Sequence, residues 1–175
     1  HNLGTLLCGA AVTNNLFVTG SSNGHLFVWK GRTLLKMMRA HEQGVSALWG
    51  GAVGVVSASK DGMIKHWNHK VEHIKSLSLS DADVPPLSPV VRSCDAALTI
   101  KADEPNRALV ATSSGEIYEV ALKSGGICLM QESHFKGELW GLGMHPTDPD
   151  LFATSGDDRT IRIWSVSHKR IIRKA

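Results

Sequence analysis

A repeated segment that ends in an aromatic residue constrains the fold of this chain more than any other feature. The strings SSNGHLFVW, SKDGMIKHW and GDDRTIRIW superpose without gaps and end at Trp29, Trp67 and Trp164. A fourth string, TSSGEIYEV, superposes on them and ends at Val120. A repeat of this kind indicates one supersecondary unit copied along the chain, each unit burying its apolar surface against its neighbours.

Each unit has the pattern of an antiparallel sheet. The pairs Asn23-Gly24 and Asp61-Gly62 place a residue that tolerates positive φ before one without a Cβ, which is typical of a tight hairpin turn. An apolar run precedes each turn, and apolar and polar residues alternate after it with the period of a strand. With one strand ahead of the hairpin and one behind it, each unit has four strands. The sequence therefore predicts an all-β fold of four consecutive four-stranded antiparallel units.

The spacing of the units locates an insertion. The four end points lie 38, 53 and 44 residues apart, and a four-stranded unit takes about 40 to 45 residues. The longest interval contains Pro85, Pro86 and Pro89, which remove backbone donors and exclude a central strand. We predict units at 1–40, 41–78, 88–132 and 133–175, with a surface loop at 78–89 between the second and the third.

Composition and charge exclude several classes of protein. Hydrophobic residues make up 42% and charged residues 20%, as in ordinary globular domains. No apolar run reaches the roughly 18 residues that a membrane span needs, and a net charge of +3 is too small to require nucleic acid. Cys8, Cys94 and Cys128 have no CxxC spacing, so neither a disulfide framework nor a thiolate metal site is expected. A reducing, intracellular setting fits this cysteine usage.

The repeats resemble WD-repeat β-propeller blades over nearly the whole chain. In that family a His, a Ser or Thr, an Asp and the strand Trp form a buried hydrogen-bonded tetrad. Burying any one of these polar groups alone would be costly, and hydrogen bonds among the four offset that cost. The resemblance implies structural tetrads at His41, Ser57, Asp61 and Trp67 and at His134, Thr154, Asp158 and Trp164. The first blade offers Thr19, Asn23 and Trp29 without a His, and the third offers Val110, Ser114 and Val120. Because such propellers usually close with seven blades, we expect this chain to be part of a larger seven-bladed or tandem propeller.

A closer resemblance is to the echinoderm microtubule-associated protein-like family. The segments SSGEIYEVAL and HFKGELWGLGMHPTDPDLFATSGDDRTIRIWS carry it. It implies a non-catalytic protein-binding scaffold in the cytoplasm, at the cytoskeleton, with tubulin or microtubules as the partner. From the sequence as a whole we expect no cofactor, no small-molecule substrate, no nucleic acid and no membrane partner. The alternative is a generic WD-repeat adaptor of an unrelated complex, of the ubiquitin-ligase receptor or trafficking type.

Two groups of residues have the side-chain types of a catalytic or a metal site, but a structural role explains each of them better. Ser57, His41 and Asp61 have the residue types of a hydrolase triad, but no nucleophile elbow accompanies them and the same trio recurs with the repeat. The histidines at 66, 69 and 73 would match metal-ligand spacing on a helix, whereas a strand that contains Trp67 turns them in different directions. We therefore expect neither catalytic nor metal-binding residues.

Candidate partner-binding residues follow from the alignment of the first strands. If Val45, Val91 and Leu139 are equivalent, the residues after them, Ser46, Arg92 and Trp140, share one orientation near the mouth of the central channel. Trp and Arg are the side chains most enriched in binding hot spots. The alternative for Trp140 is burial against a neighbouring blade, since large aromatic residues are usually buried.

Overall fold

The computed structural model describes residues 3–13, 15–51, 53–83, 86, 91–97, 107–132, 134 and 138–175, and for 92–97 the backbone alone. Within these residues there are four antiparallel sheets of four strands each. The predicted all-β fold of four consecutive four-stranded units is confirmed. In the described part of the chain, no helix has the length and apolar composition needed to cross a membrane.

The strands follow one another in chain order within each sheet. The first sheet contains β1 (Leu6–Thr13), β2 (Leu16–Ser21), β3 (His25–Lys30) and β4 (Thr33–Arg39). The second contains β5 (Val45–Gly51), β6 (Gly54–Ser59), β7 (Met63–Trp67) and β8 (His73–Ser78). The third contains β9 (Val91–Ala97), β10 (Arg107–Thr112), β11 (Ile117–Ala121) and β12 (Ile127–Gln131). The fourth contains β13 (Leu139–Met144), β14 (Leu151–Gly156), β15 (Ile161–Ser165) and β16 (Arg170–Lys174).

The chain divides into two compact units, His1–Met130 with the first three sheets and Gln131–Ala175 with the fourth. In the first unit, apolar layers form between successive sheets. Val18 and Leu26 of the first sheet share a buried cluster with Val55 of the second. Val56, the next residue of β6, belongs instead to the cluster that includes Tyr118 of the third sheet. Because both faces of the second sheet are covered, every residue of β6 is buried, and the strand consists only of small or apolar residues.

A β-bulge recurs at the same place in all four sheets. The register shifts lie between Leu6 and Cys8, between Val45 and Ala47, and between Leu139 and Gly141. In the third sheet Ala111 pairs with Ser93 and Thr112 with Val91, so the extra residue there is Arg92. The four bulged residues are therefore Leu7, Ser46, Arg92 and Trp140. A bulge bends its strand and re-aims the extra side chain, which sets these positions apart from the sheet face.

The segment predicted as a surface loop differs from the expectation at its start. Residues Leu79–Asp81 form a single 3-10 turn after β8, and Leu79 is fully buried. Leu79 and Ala82 pack into the apolar cluster between the second and third sheets. The prediction of an exposed loop is wrong for these two residues, because their side chains are buried within that cluster. Pro85 and Pro89 lie outside the described residues.

Candidate functional site

The structure brings the four predicted tetrad residues of the second sheet together. Trp67 Nε1 donates to Ser57 Oγ at 2.9 Å, and Ser57 Oγ lies 2.8 Å from His41 Nε2. Asp61 Oδ2 is 3.6 Å from His41 Nδ1, which is too long for a hydrogen bond. The carboxylate instead accepts from the backbone N–H groups of Met63 at 2.9 Å and Glu42 at 3.1 Å. Asp61 therefore organises the surrounding turns by hydrogen bonds and acts on His41 through its charge.

The tetrad of the fourth sheet is more tightly connected. His134 Nδ1 lies 2.8 Å from Asp158 Oδ2, and His134 Nε2 lies 2.9 Å from Thr154 Oγ1. Trp164 Nε1 donates to the same Thr154 hydroxyl at 2.7 Å. The geometry matches the series of contacts that the resemblance implies. The Thr154 hydroxyl accepts a hydrogen bond from the indole N–H, as the Ser57 hydroxyl does in the second sheet.

Arg162 extends this network, and the sequence reasoning missed it. Its side chain has no exposed surface, and its Nη2 donates to Asp158 Oδ2 at 3.3 Å. Glu132 Oε2 lies 3.8 Å from Arg162 Nη1 and accepts from Lys174 Nζ at 2.9 Å. A strand pattern of alternating Ile and Arg suggests a solvated arginine, so nothing in the local sequence signals this burial. Two cationic or ionisable groups, His134 and Arg162, thus share the one carboxylate of Asp158.

Burial and hydrogen bonding shift two pKa values in these tetrads. Burial lowers the pKa of His41 to about 4, although the negative charge of Asp61 opposes the shift. Burial raises the pKa of Asp158, but hydrogen bonds from His134 and Thr160 outweigh it and bring that pKa down to about 2. His41 is therefore neutral and Asp158 ionised at neutral pH.

These shifts predict a loss of stability in acid. The pKa of His41 lies below its ordinary value of 6.5, so between about pH 6.5 and pH 4 the unfolded chain binds a proton that the folded chain does not. The free energy of unfolding should therefore fall as the pH is lowered through this window. Asp158 adds a second loss between its ordinary pKa, near 4, and about pH 2. Urea titrations at several pH values measure both.

The His41→Gln variant is the matched control for the first window. Gln keeps a polar side chain at this position and does not titrate, so the slope between about pH 6.5 and pH 4 should flatten. An unchanged slope in the folded variant would assign the acid sensitivity to another group.

The first and third sheets have different side-chain contacts at the positions of the tetrad. In the first, Trp29 Nε1 donates to Thr19 Oγ1 at 2.9 Å. In the third, Val110 and Val120 are fully buried where the second sheet has Ser57 and Trp67. The buried polar groups of the third sheet lie instead at its central turn, where Thr112 and Ser114 both donate to the carboxylate of Glu116. An apolar pair has thus replaced the hydroxyl and the indole, so neither position has a side-chain donor or acceptor that must be satisfied.

The residues considered for chemistry have structural partners. Ser57 is fully buried, and its hydroxyl is hydrogen-bonded to Trp67 and His41. His66 Nε2 lies 2.8 Å from the carbonyl oxygen of Val53, and His73 Nε2 lies 2.8 Å from Ser76 Oγ. His69 occupies the turn between β7 and β8. Among the described residues, no group of three or more His, Cys, Asp or Glu side chains is arranged to hold a metal ion.

The candidate partner-binding residues lie at the bulges described above. Trp140 is 72% exposed, and its Nε1 donates to Asp157 Oδ1 at 2.6 Å. The other oxygen of Asp157 accepts from the backbone N–H of Glu138 at 3.0 Å. The hydrogen bond to Asp157 and the bulge accompany this exposure, and burial of Trp140 against a neighbouring blade stays the alternative prediction. Sequence reasoning missed Asp157, which appears there only as the first residue of an Asp-Asp pair.

The equivalent positions in the first unit carry different side chains. Ser46 is half-buried, and its hydroxyl donates to the carbonyl oxygen of Ala58 at 3.3 Å. Leu7, which the sequence reasoning did not single out, is 45% exposed. The backbone of Arg92 lies at the bulge of β9, and its side chain lies outside the described residues. The bulge therefore presents a different chemical group in each sheet.

Comparison with known proteins places these features in a class. The family described as WD domain, G-beta repeat matches residues 32–68 and 126–165. The WD40 repeats of RRP9 superpose with a TM-score of 0.60 over 97% of this chain and 48% of that chain, at 18% identity. The structure of U3-55K gives a TM-score of 0.59, with 97% and 49% covered, at 18% identity. The two matched segments are thus WD40 repeats, and the described fold is that of the WD40 β-propeller class.

Within this class, the chain is similar to the echinoderm microtubule-associated proteins, as the sequence indicated. Echinoderm microtubule-associated protein-like 1 of Mus musculus is 29% identical over 95% of this chain and 19% of its own length. Echinoderm microtubule-associated protein-like 2 of Homo sapiens is 28% identical over 91% of this chain and 23% of its own length. The ciliary WD repeat-containing protein ctxp80 of Euplotoides octocarinatus is 29% identical over 87% and 19%, respectively. The chain thus spans about a fifth of the length of these relatives.

Proposed function

We propose that this chain is a segment of a non-catalytic scaffold that binds tubulin or microtubules in the cytoplasm, with Trp140 as an anchor. The exposed indole of Trp140 is the observation that carries the proposal. The names of the similar proteins supply the partner, because two of them are described as microtubule-associated.

Trp140 has the geometry of a preorganised contact residue. Its hydrogen bond to Asp157 fixes the ring at its polar end and leaves the apolar ring surface available to a partner. A side chain that is already fixed loses little conformational entropy on binding, so more of the contact energy appears as affinity. Tryptophan is also among the residues whose truncation most often weakens an interface.

Arg92 is the second proposed contact residue. It occupies the bulge of β9, at the position in its sheet that Trp140 has in the fourth. An arginine at this position suits an acidic partner surface, because a guanidinium forms bidentate, charge-assisted hydrogen bonds with carboxylates. The net charge of +3 on the chain favours the same kind of partner.

Co-sedimentation with microtubules tests the proposal, with the Arg92→Ala, Trp140→Ala double variant compared with the unsubstituted protein. Removing two hot-spot side chains should weaken binding by about tenfold or more. The matched control is Leu142→Ala on the same strand, which removes a side chain that is 73% exposed but is not at the bulge. Circular dichroism establishes that each variant is folded. Unchanged affinity of the folded double variant would move the binding site to another face.

The alternative function is a WD-repeat adaptor of an unrelated complex. The similarity of the described fold to the WD40 repeats of RRP9 supports it equally well. In that case the unsubstituted protein would stay in the supernatant at every microtubule concentration, and the Trp140 surface would serve a different acidic partner.

A further inference from the structure

The outer edge of the first sheet is unusually apolar and exposed. Among the described strands, β4 pairs only with β3, so its other side is an open edge. Leu34, Leu35 and Met37 of this seven-residue strand are 45%, 54% and 47% exposed. Natural proteins usually protect such edges with short strands or charged inward-pointing residues, since they readily pair with another strand.

The other outer strands do not share this character. β8, β12 and β16 each expose a single large apolar side chain, Ile74, Met130 and Ile172 respectively. β8 is also held to the third sheet by Lys75, whose Nζ donates to the carbonyl oxygens of Lys123 at 3.1 Å and Ser124 at 2.9 Å. Within the described outer strands, the three exposed apolar residues of β4 are therefore exceptional.

The backbone of β4 offers hydrogen-bonding groups at this edge. Ala40 N donates to Gly24 O at 2.9 Å. Ala40 and Gly24 therefore form a hydrogen-bonded pair of the antiparallel ladder, as opposed to a non-hydrogen-bonded pair. In an antiparallel pair the hydrogen-bonded residues alternate, which makes Met38 and Lys36 the next two that bond to β3. The N–H and C=O groups of Met37 and Arg39 consequently point away from the sheet, toward the open edge.

The charge along this edge has one sign. Residues 30–39 contain four basic side chains and no Asp or Glu, the basic ones being Lys30, Arg32, Lys36 and Arg39. At the carboxyl end of β4 there is a surface depression of about 580 Å³, lined by Arg39, Ala40, His41, Glu42, Gln43 and Lys65. Lys65 Nζ is held there by the carbonyl oxygen of Ala40 at 2.5 Å. Among the residues that line the depression, the two cations outnumber the one carboxylate, Glu42, so this lining favours an acidic side chain.

We propose that β4 accepts an extended acidic segment of a partner protein as a fifth strand of the first sheet. Main-chain hydrogen bonds to Met37 and Arg39 provide the pairing, as in other cases of strand addition. Apolar side chains of the segment cover Leu34 and Met37, and an acidic side chain at one end enters the depression beside Arg39 and Lys65. This edge shares no residue with the Trp140 anchor, so it adds a second binding site to the proposed scaffold.

Fluorescence anisotropy with a defined peptide tests the proposal on the full chain. The probe is a fluorescein-labelled peptide of the same length as β4, with alternating Val and Thr and two Glu residues at one end. Two control peptides differ in one respect each: one is N-methylated at alternate backbone nitrogens, and the other has Gln in place of Glu. If the segment adds as a strand with its acidic end beside Arg39, each control should bind about tenfold or more weakly.

Protein variants test the same contacts from the other side. Met37→Pro removes the outward N–H, whereas Met37→Ala keeps it, so the Pro variant should bind the probe about tenfold more weakly than the Ala variant. Arg39→Glu should weaken binding similarly, and Ile172→Ala on β16 should leave it unchanged. Circular dichroism checks folding, and the N-methylated peptide does not depend on any variant.

Three outcomes would overturn the proposal. Equal binding of the N-methylated and unmodified peptides would mean that no strand is added. Absence of binding by the folded, unsubstituted chain would leave the edge without this occupant. Concentration-dependent dimerisation that Arg39→Glu or Met37→Pro abolishes, seen by analytical ultracentrifugation, would assign the edge to a second copy of the chain.

Discussion

Replacing Asp158 by Ala should lower the free energy of unfolding by about 3 to 5 kcal/mol, the cost of removing one partner from a buried ion pair. The side chains of Asp158 and Arg162 both have no exposed surface. Without the carboxylate, Arg162 keeps the neutral Thr160 hydroxyl at 3.2 Å and the more distant carboxylate of Glu132 at 3.8 Å. His134 loses its partner at 2.8 Å. Most of this cost comes from leaving the buried guanidinium of Arg162 without its nearest anion. Urea unfolding of the full chain, followed by tryptophan fluorescence, measures it.

Asp61→Ala is the matched control, because it removes the equivalent carboxylate from the second sheet. Asp61 is 11% exposed on its side chain and lies 3.6 Å from His41 Nδ1, and within the described residues no ion pair joins it to an arginine. We expect a smaller loss of about 1 to 3 kcal/mol, from the unsatisfied backbone N–H groups of Met63 and Glu42. Equal effects of the two substitutions would mean that Arg162 is not the reason for the larger loss. No effect of either would contradict the structural role of the tetrads.

Replacing Gly24 by Ala should destabilise the protein by about 3 kcal/mol or more, among the largest effects of a single methyl group. Gly24 has a φ of +80°, which an L residue adopts only with strain. A Cβ there would overlap the carbonyl oxygen of His41 and lie 2.8 Å from that of Gln43. Both obstacles are backbone atoms of the segment that joins the first two sheets, so neither can move as a flexible side chain would. Thermal and urea unfolding measure the effect.

Gly31→Ala separates the steric cost from the conformational one. Gly31 also has a positive φ, +57°, but among the described residues no heavy atom lies within 4 Å of the place that a Cβ would take. This substitution should cost only about 1 to 2 kcal/mol, the ordinary penalty of the left-handed conformation. A Gly24 variant no less stable than the Gly31 variant would show that the joining segment relaxes easily.

The tetrads illustrate how much of a site can be read from a repeat. His41, Ser57 and Trp67 are far apart in the chain, yet the period of the repeat together with the family resemblance identified them as partners. Their hydrogen bonds in the structure follow the same order as those of the fourth sheet. The strength of each link was not predictable, since the distance between Asp and His differs by 0.8 Å between the two sheets, 3.6 Å against 2.8 Å.

For the candidate binding residues, the sequence predicted the positions but not the exposure of the side chains. The alignment of first strands placed Ser46, Arg92 and Trp140 at equivalent positions, and the recurring bulge gives the structural reason for their equivalence. Whether Trp140 is buried was left open by the sequence, because a large aromatic residue suits both a core and a surface. In the structure Trp140 is exposed, and Asp157, 17 residues away, accepts a hydrogen bond from its indole N–H.

The sequence alone determined the strands, the hairpin turns and the number of repeats, because these depend on the period of two and on local turn residues that act over a few positions. Only the tertiary structure decided which faces are covered. Leu79 is buried although it begins a polar segment, Arg162 is buried although it alternates with apolar residues, and Leu35 is exposed in an apolar strand. Burial depends on what packs against a strand from a distant part of the chain, and a local pattern carries no information about that neighbour.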